Sequence, residues 1–215
     1  MTEMRVFYSK TGDMKFISHL DTIRLMARAI KKASIPIWFT EGFNPHPYMT
    51  FSMPLSLGHE SYCESFDIRL TEEIDLSSAV ESLNKALPEG FKIQKICTPQ
   101  FKPSDITEAK YRITFFGVNK TFAEKLEAFL ARESITVQKT GKKGKISEID
   151  LKTKIREVKV SFADDKAVLE LYLPSGTTEN INPALLISAF SDTVLEMPCL
   201  DILRVELLCN EAEFC

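Results

Sequence analysis

The sequence predicts an α+β protein of two tandem ferredoxin-like (βαββαβ) domains with antiparallel sheets. The order strand, helix, strand, strand, helix, strand is readable in the first hundred residues, and the second half repeats it. A polar stretch with two prolines, PQFKPSD at 99–105, lies between the halves and reads as a linker. The expected domains are therefore 1–100 and 106–215. A chain of 215 residues, 44% hydrophobic and with 15 Phe, can fill two cores. The halves share a pattern of elements and no residue-level repeat.

In the first half, MRVFYSK (4–10) alternates like a strand, TGD (11–13) turns and MKFI (14–17) leads on. Ser18 is the expected N-cap of a helix running to about Ala33, with Asp21 at the capping-box position. Leu20, Ile23, Ala27 and Ile30 define its inward face, with Met26 and Ala33 beside them. IPIWFT (35–40) reads as a strand. EGFNPHPYM (41–49) is a loop, because Gly42, Pro45 and Pro47 break any ladder. TFSMPLSLG (50–58) is extended and ESFDIRL (64–70) is an alternating strand. A helix over 75–87, with Leu76, Ala79, Val80, Leu83 and Leu87 inward, stops at Pro88 and Gly90, and FKIQKICT (91–98) is the next strand.

In the second half, YRITFFGV (111–118) is a strand, and the helix from Thr121 to about Glu133 points Phe122, Leu126, Phe129 and Leu130 inward. ITVQK and KISEIDLK flank a hairpin tip within KTGKKGK (139–145). Residues 156–174 form two strands around the turn ADDK. A helix begins at Asn182, with Pro183 in its first position, and DILRVELLC (201–209) is the last strand.

The net charge of −3 excludes a generic polyanion binder, but the charge is uneven. Residues 1–32 hold seven Lys or Arg against three Asp or Glu, and residues 137–160 hold eight against three. The five Cys form no CxxC, and their odd number without a secretory leader indicates free thiols. MTEMRVFYSK has no signal-peptide core and no apolar run reaches membrane-spanning length, so the expected location is cytoplasmic, away from membranes.

Unusual chemistry concentrates in residues 16–60, which contain all three histidines and the only Trp. Arg24, Arg28 and Lys31 recur at i, i+4 and i+7, a row suited to phosphates, while its plainer role is a solvated helix face. Phe43 and Tyr48 are placed to stack on unpaired bases, and Asn44 and His46 to read a polar group. His46 and His19 are the acid–base candidates, although no nucleophile lies beside either in sequence. Their plainer roles are a loop residue fixed by two prolines and a hydrogen-bonding residue at a helix start. His59 and Cys63 are four apart in extended chain, so no metal is expected, and no sequence signature calls for a cofactor.

The stretch RVFYSKTGDMKFISHLDTIRLMARAIKKASIPIWFTEGFNPHPYMTFSMPLSLGHES closely resembles the start of the bacterial radical SAM-linked (radical SAM-associated) protein family, a domain of unknown function. The matching positions are Lys10, Gly12, Phe16, Ser18, His19, Asp21, Arg24, Arg28, Gly42, Phe43, Asn44, Pro45, His46, Pro47, Leu55, Gly58 and Glu60. His59 falls outside the pattern. The resemblance covers about the first third of the chain. It implies a working partner, a radical SAM protein encoded nearby or fused. This chain has no CxxxCxxC of its own.

Three functional expectations follow. The first is a non-catalytic accessory that binds substrate, foremost RNA, through Lys10, Arg24, Arg28, Lys31, Phe43, Asn44, His46 and Tyr48. The second is an RNA- or nucleotide-acting enzyme using His46 or His19. The third is a protein–protein adaptor docking through Phe43, Pro45, Pro47 and Tyr48 without nucleic acid.

Overall fold

Strand β1 (Thr2–Lys10) forms the middle of the first sheet because its Met4, Val6 and Tyr8 share one face and are all buried. It pairs antiparallel on one side with β3 (His59–Leu70) and on the other with β4 (Phe91–Cys97). A short β2 (Met49–Phe51) pairs antiparallel with β3, giving the order β4-β1-β3-β2. The computed structural model describes residues 1–140 and 146–214. It contains two compact units: Met1–Ile106 together with the residues from Ala212 onward, and Thr107–Glu211. The architecture is mixed α/β, with mostly antiparallel pairing and four α-helices among the described residues.

Two helices cover the core face of the first sheet, α1 (His19–Lys32) and α2 (Leu76–Ala86). Ser18 caps α1 as expected. Its Oγ accepts the Asp21 backbone N–H at 3.1 Å and donates to Asp21 Oδ2 at 2.7 Å. Asp75 caps α2 by accepting the Ser78 N–H at 2.9 Å. The inward face of α1 differs from the sequence expectation: Thr22, Met26, Ala29 and Ile30 are buried, and Leu20 is exposed. Thr22 tolerates burial because its hydroxyl donates to the Ser18 carbonyl at 3.0 Å.

The segment 35–40 is not a strand. It makes only isolated bridges, Ile37 with Leu70 and Phe39 with Pro47. Ser34 ends the helix with a positive φ of 54° and Pro36 offers no N–H, so no continuous ladder can form. Gly12–Phe16 is a 3₁₀ turn, and Ile17 after it is extended. In the linker, Pro103–Asp105 is another such turn.

In the second unit, β5 (Glu108–Phe116) pairs antiparallel with β9 (Lys166–Pro174) and β10 (Leu200–Cys209), and β8 (Arg156–Ala163) pairs with β9. The order is β10-β5-β9-β8. Helix α3 (Lys120–Leu130) follows β5, and α4 (Pro183–Ser191) follows β9. Phe115, Phe122, Phe129 and Phe190 meet in one aromatic cluster at centroid distances of 5.3–6.3 Å. The hairpin β6 (Thr136–Thr140) and β7 (Ile146–Asp150) forms a separate two-stranded sheet. The basic tip expected between its strands lies outside the described residues. A final β11 (Ala212–Glu213) precedes Phe214, which belongs to the first unit.

Opposite the helices, Arg5 is fully buried. Its Nε and Nη2 donate to Asp67 Oδ1 at 2.7 Å and Oδ2 at 2.9 Å, and its guanidinium lies 4.2 Å from the Phe214 ring centroid. Removing one member of such a pair takes two charge-assisted hydrogen bonds from a fully buried guanidinium. Asp67→Ala is therefore expected to lower unfolding free energy by about 3–5 kcal/mol in urea titrations. The double change Arg5→Met with Asp67→Leu should recover most of that loss, because it removes both desolvation penalties together. If the double variant were as unstable as the single one, the shape of the site and not its charge would set the cost.

Candidate functional site

The first unit places the expected site residues in two clusters. The first sits at the end of β1, where Lys10 falls on the core-facing side beyond Tyr8. Lys10 is only 3% exposed, and its ammonium donates to the Ile17 carbonyl at 2.8 Å. It was expected on an open binding surface; the alternation of β1 turns it inward instead. Glu64, opposite Tyr8 in the register, is also buried and adds a negative charge to this end of the core. His19 stands in the first turn of α1, half-buried, with its ring edge-to-face on Phe51 at 5.2 Å. Gly12 N–H donates to Glu60 Oε1 at 2.8 Å and Gly58 N–H to the Lys15 carbonyl at 2.8 Å, so 11–18 is tied to the start of β3.

Burial lowers the pKa of Lys10, opposed by the field of Glu64. Burial likewise holds His19 below its ordinary value of 6.5; Glu64 acts against that shift and Lys10 with it. Ser18 and Arg24 hydrogen bonds keep the Asp21 carboxyl below the usual carboxylate range.

The second cluster is the loop GFNPHP. Thr40 N–H donates to the His46 carbonyl at 2.9 Å, and His46 N–H donates to Thr40 Oγ1 at 3.2 Å. His46 Nδ1 lies 3.1 Å from the Asn44 carbonyl and 3.0 Å from Thr40 Oγ1. A carbonyl only accepts, so Nδ1 carries a proton, and in the neutral tautomer Nε2 is left as an acceptor. Within this closure residues 41–46 are all exposed, and Phe43 is 105% exposed. Gly42 adopts φ +132°, which only glycine takes readily, so the chain can turn there. At the base of the loop Tyr48 and Trp38 meet at 5.5 Å. The Arg69 guanidinium lies 4.4 Å from the Tyr48 ring and 5.7 Å from Trp38. Arg69 has no carboxylate partner among the described residues, so its charge contributes to the field at the base of the loop.

Arg24, Arg28 and Lys31 are exposed on α1. Arg24 pairs with Asp21 at 3.1 Å, while Arg28 and Lys31 make no hydrogen bond or ion pair with described residues. No hydrogen bond or ring contact among the described residues joins His19 to His46, or the α1 cations to the loop. Sequence reading missed Glu64 and Arg69. Both sit on β3, where only the pairing register shows that one faces Tyr8 and the other the loop aromatics. Among the described residues no three His, Cys, Asp or Glu side chains gather as a metal site, and no helix is long and apolar enough to cross a membrane.

The depressed pKa of His19 makes a pH prediction. The unfolded chain binds this proton first, so the His19 contribution to stability is intact above about pH 6.5 and is lost as pH falls towards the folded pKa. His19→Gln should make the urea midpoint less sensitive to pH between about pH 7.5 and about pH 5. An unchanged pH profile in that variant would show that burial places no such penalty on the His19 charge.

A comparison with curated proteins finds no match. Among solved structures the chain is similar to the crystal structure of an unknown protein from Galdieria sulphuraria, at 13% identity over 96% of each chain, with a TM-score of 0.27 that is too low to bear on fold or activity. The family model described as an uncharacterized protein conserved in bacteria (DUF2344) matches residues 3–183, and the chain belongs to this family.

Proposed function

We propose that this protein is a non-catalytic accessory of a radical SAM enzyme and that its first unit holds an RNA substrate for that partner. The observation that carries the reading is the GFNPHP loop, closed on itself by Thr40 and His46 and presenting a wholly exposed Phe43. An uncovered aromatic ring costs stability in water, and a flat ring on a pre-closed loop suits stacking on an unpaired base. His46 Nε2 would accept a hydrogen bond from the stacked group, and Arg28, Lys31 and Arg69 supply cations without carboxylate partners among the described residues. Lys10 acts here as a support for α1, since its charge is buried. Tyr48 likewise supports the loop from below, one face covered by Arg69. The association with a radical SAM protein rests on the sequence resemblance.

In the same reading both units are ferredoxin-like. The orders β4-β1-β3-β2 and β10-β5-β9-β8 correspond strand for strand. Every neighbouring pair is antiparallel, and a helix follows the first and third strands of each unit. The hairpin β6–β7 is then an insertion in the second unit, which the plain βαββαβ expectation lacked.

The test is a native pull-down of the tagged protein, with one half of the lysate treated with nuclease. A radical SAM protein that stays bound after nuclease, together with a defined RNA lost on treatment, is the expected result. With that RNA in hand, Phe43→Ala should weaken binding by about 1–3 kcal/mol at all salt concentrations. Arg28→Gln with Lys31→Gln should flatten the salt dependence by roughly 1–2 in log–log slope. A protein partner with no enriched RNA would overturn the RNA reading and favour docking through Phe43 and Pro45.

A further inference from the structure

Between the end of β1, the start of β3 and the turn from α2 to β4 lies a cleft that the proposed RNA surface does not use. It has a volume of about 620 Å³, within the range of small-molecule sites. Ser9 and Lys92 are register partners on β1 and β4, and Glu60 and Tyr62 lie beside them at the start of β3. The turn from α2 to β4 closes the far wall with Pro88, Glu89 and Gly90. That wall is fixed: Thr11 N–H donates to the Gly90 carbonyl at 2.8 Å, and a Cβ at Gly90 would lie 2.6 Å from the Thr11 carbonyl oxygen. Asn84 pins the same turn, accepting the Ile93 N–H at 2.8 Å and donating to its carbonyl at 2.9 Å.

The polar atoms left over in the cleft point to its ligand. Ser9 is 9% exposed, and its hydroxyl has no hydrogen-bond partner among the described residues. Because no fully buried side-chain polar atom among the described residues is left without a partner, this hydroxyl opens to the cleft, where it can donate to and accept from a ligand. Glu60 uses Oε1 to accept the Gly12 N–H, and its Oε2 has no partner among the described residues. Tyr62 is 47% exposed and adds an aromatic wall. A fixed carboxylate oxygen accepts hydrogen bonds from ring hydroxyls, an unpartnered serine completes the set, and an aromatic face stacks on a ring.

We propose that this cleft binds a ring carrying a vicinal diol, with the hydroxyls on Glu60 and Ser9 and the ring against Tyr62. A ribonucleoside and a free sugar share that chemistry. The inference does not depend on the RNA surface of the GFNPHP loop, whose residues line no part of the cleft.

The experiment is saturation-transfer NMR on the full chain with uridine, 2′-deoxyuridine and glucose as probes. Saturation transfer to uridine but not 2′-deoxyuridine is expected for a nucleoside site, and transfer to glucose as well for a general sugar site. Glu60→Gln keeps an acceptor for the Gly12 N–H and removes the charge. Together with Tyr62→Ala, it should reduce transfer at least about tenfold, with the fold checked by unchanged amide spectra elsewhere. Equal transfer to all three probes in the wild type and both folded variants would overturn the proposal, as would no transfer to any probe. Ser9→Ala provides a second check. A further loss of transfer supports the Ser9 contact, and unchanged transfer overturns that part of the assignment. Phe43→Ala should leave transfer unchanged, which separates failure of this site from failure of the loop reading.

Discussion

The buried ammonium of Lys10 sets the geometry of the first unit. A charged amine inside a core is costly unless it is met by acceptors and fields of opposite sign. Here the acceptor is the Ile17 carbonyl, one residue before the N-cap of α1. Satisfying Lys10 therefore fixes where α1 begins and how it comes down on the sheet. The Gly12–Glu60 and Gly58–Lys15 bonds then hold the crossing segment against β3. His19 in the first turn of α1 and the Thr11 wall of the cleft both take their positions from this one attachment.

The electrostatics at that end follow from the same burial. Lys10 and Glu64 bring opposite charges into a region with little water, so each affects His19 more strongly than an exposed charge would. Desolvation is the largest influence on His19 and Glu64 opposes it, so the ring is held neutral chiefly by its surroundings. His46 differs in exposure and partners. It is exposed, and its tautomer is fixed by a local backbone carbonyl with no charged group in hydrogen-bond contact. No hydrogen bond or ring contact among the described residues joins the two histidines.

Where sequence pattern and local chemistry agreed, the elements were legible. The caps Ser18 and Asn182 and the alternation of β1, β3 and β9 located their elements directly. The inward face of α1 was misjudged because residue type was a poor guide to burial. Thr22 turns in since its hydroxyl is satisfied within the helix, and apolar Leu20 stays out in the first turn. The segment 35–40 looked like a strand by composition, but Pro36 and the left-handed Ser34 prevent a ladder. The exposed loop was legible from its glycine and prolines. Ser9, Glu64 and Arg69 were not, because their neighbours are set by the pairing of three strands far apart in sequence, which periodicity alone does not encode.

The loop and the cleft differ in how they prepare for a ligand. The loop has already lost most of its freedom. Hydrogen-bond contacts of His46 with Thr40 and with the Asn44 carbonyl hold the loop, and the Trp38, Tyr48 and Arg69 cluster supports it from below. A partner stacking on Phe43 would then order little beyond one side chain, which keeps the entropic cost of association low. The cleft is prepared through fixed walls and open polar atoms instead: its walls are pinned by Asn84 and Thr11, and the Ser9 hydroxyl and one Glu60 oxygen, both open to the cleft, lack protein partners among the described residues. Flat stacking tolerates many bases, whereas a carboxylate oxygen and a hydroxyl at fixed positions favour a ligand whose own hydroxyls match them. Under the two proposals, selectivity in this unit would belong to the cleft and breadth to the loop.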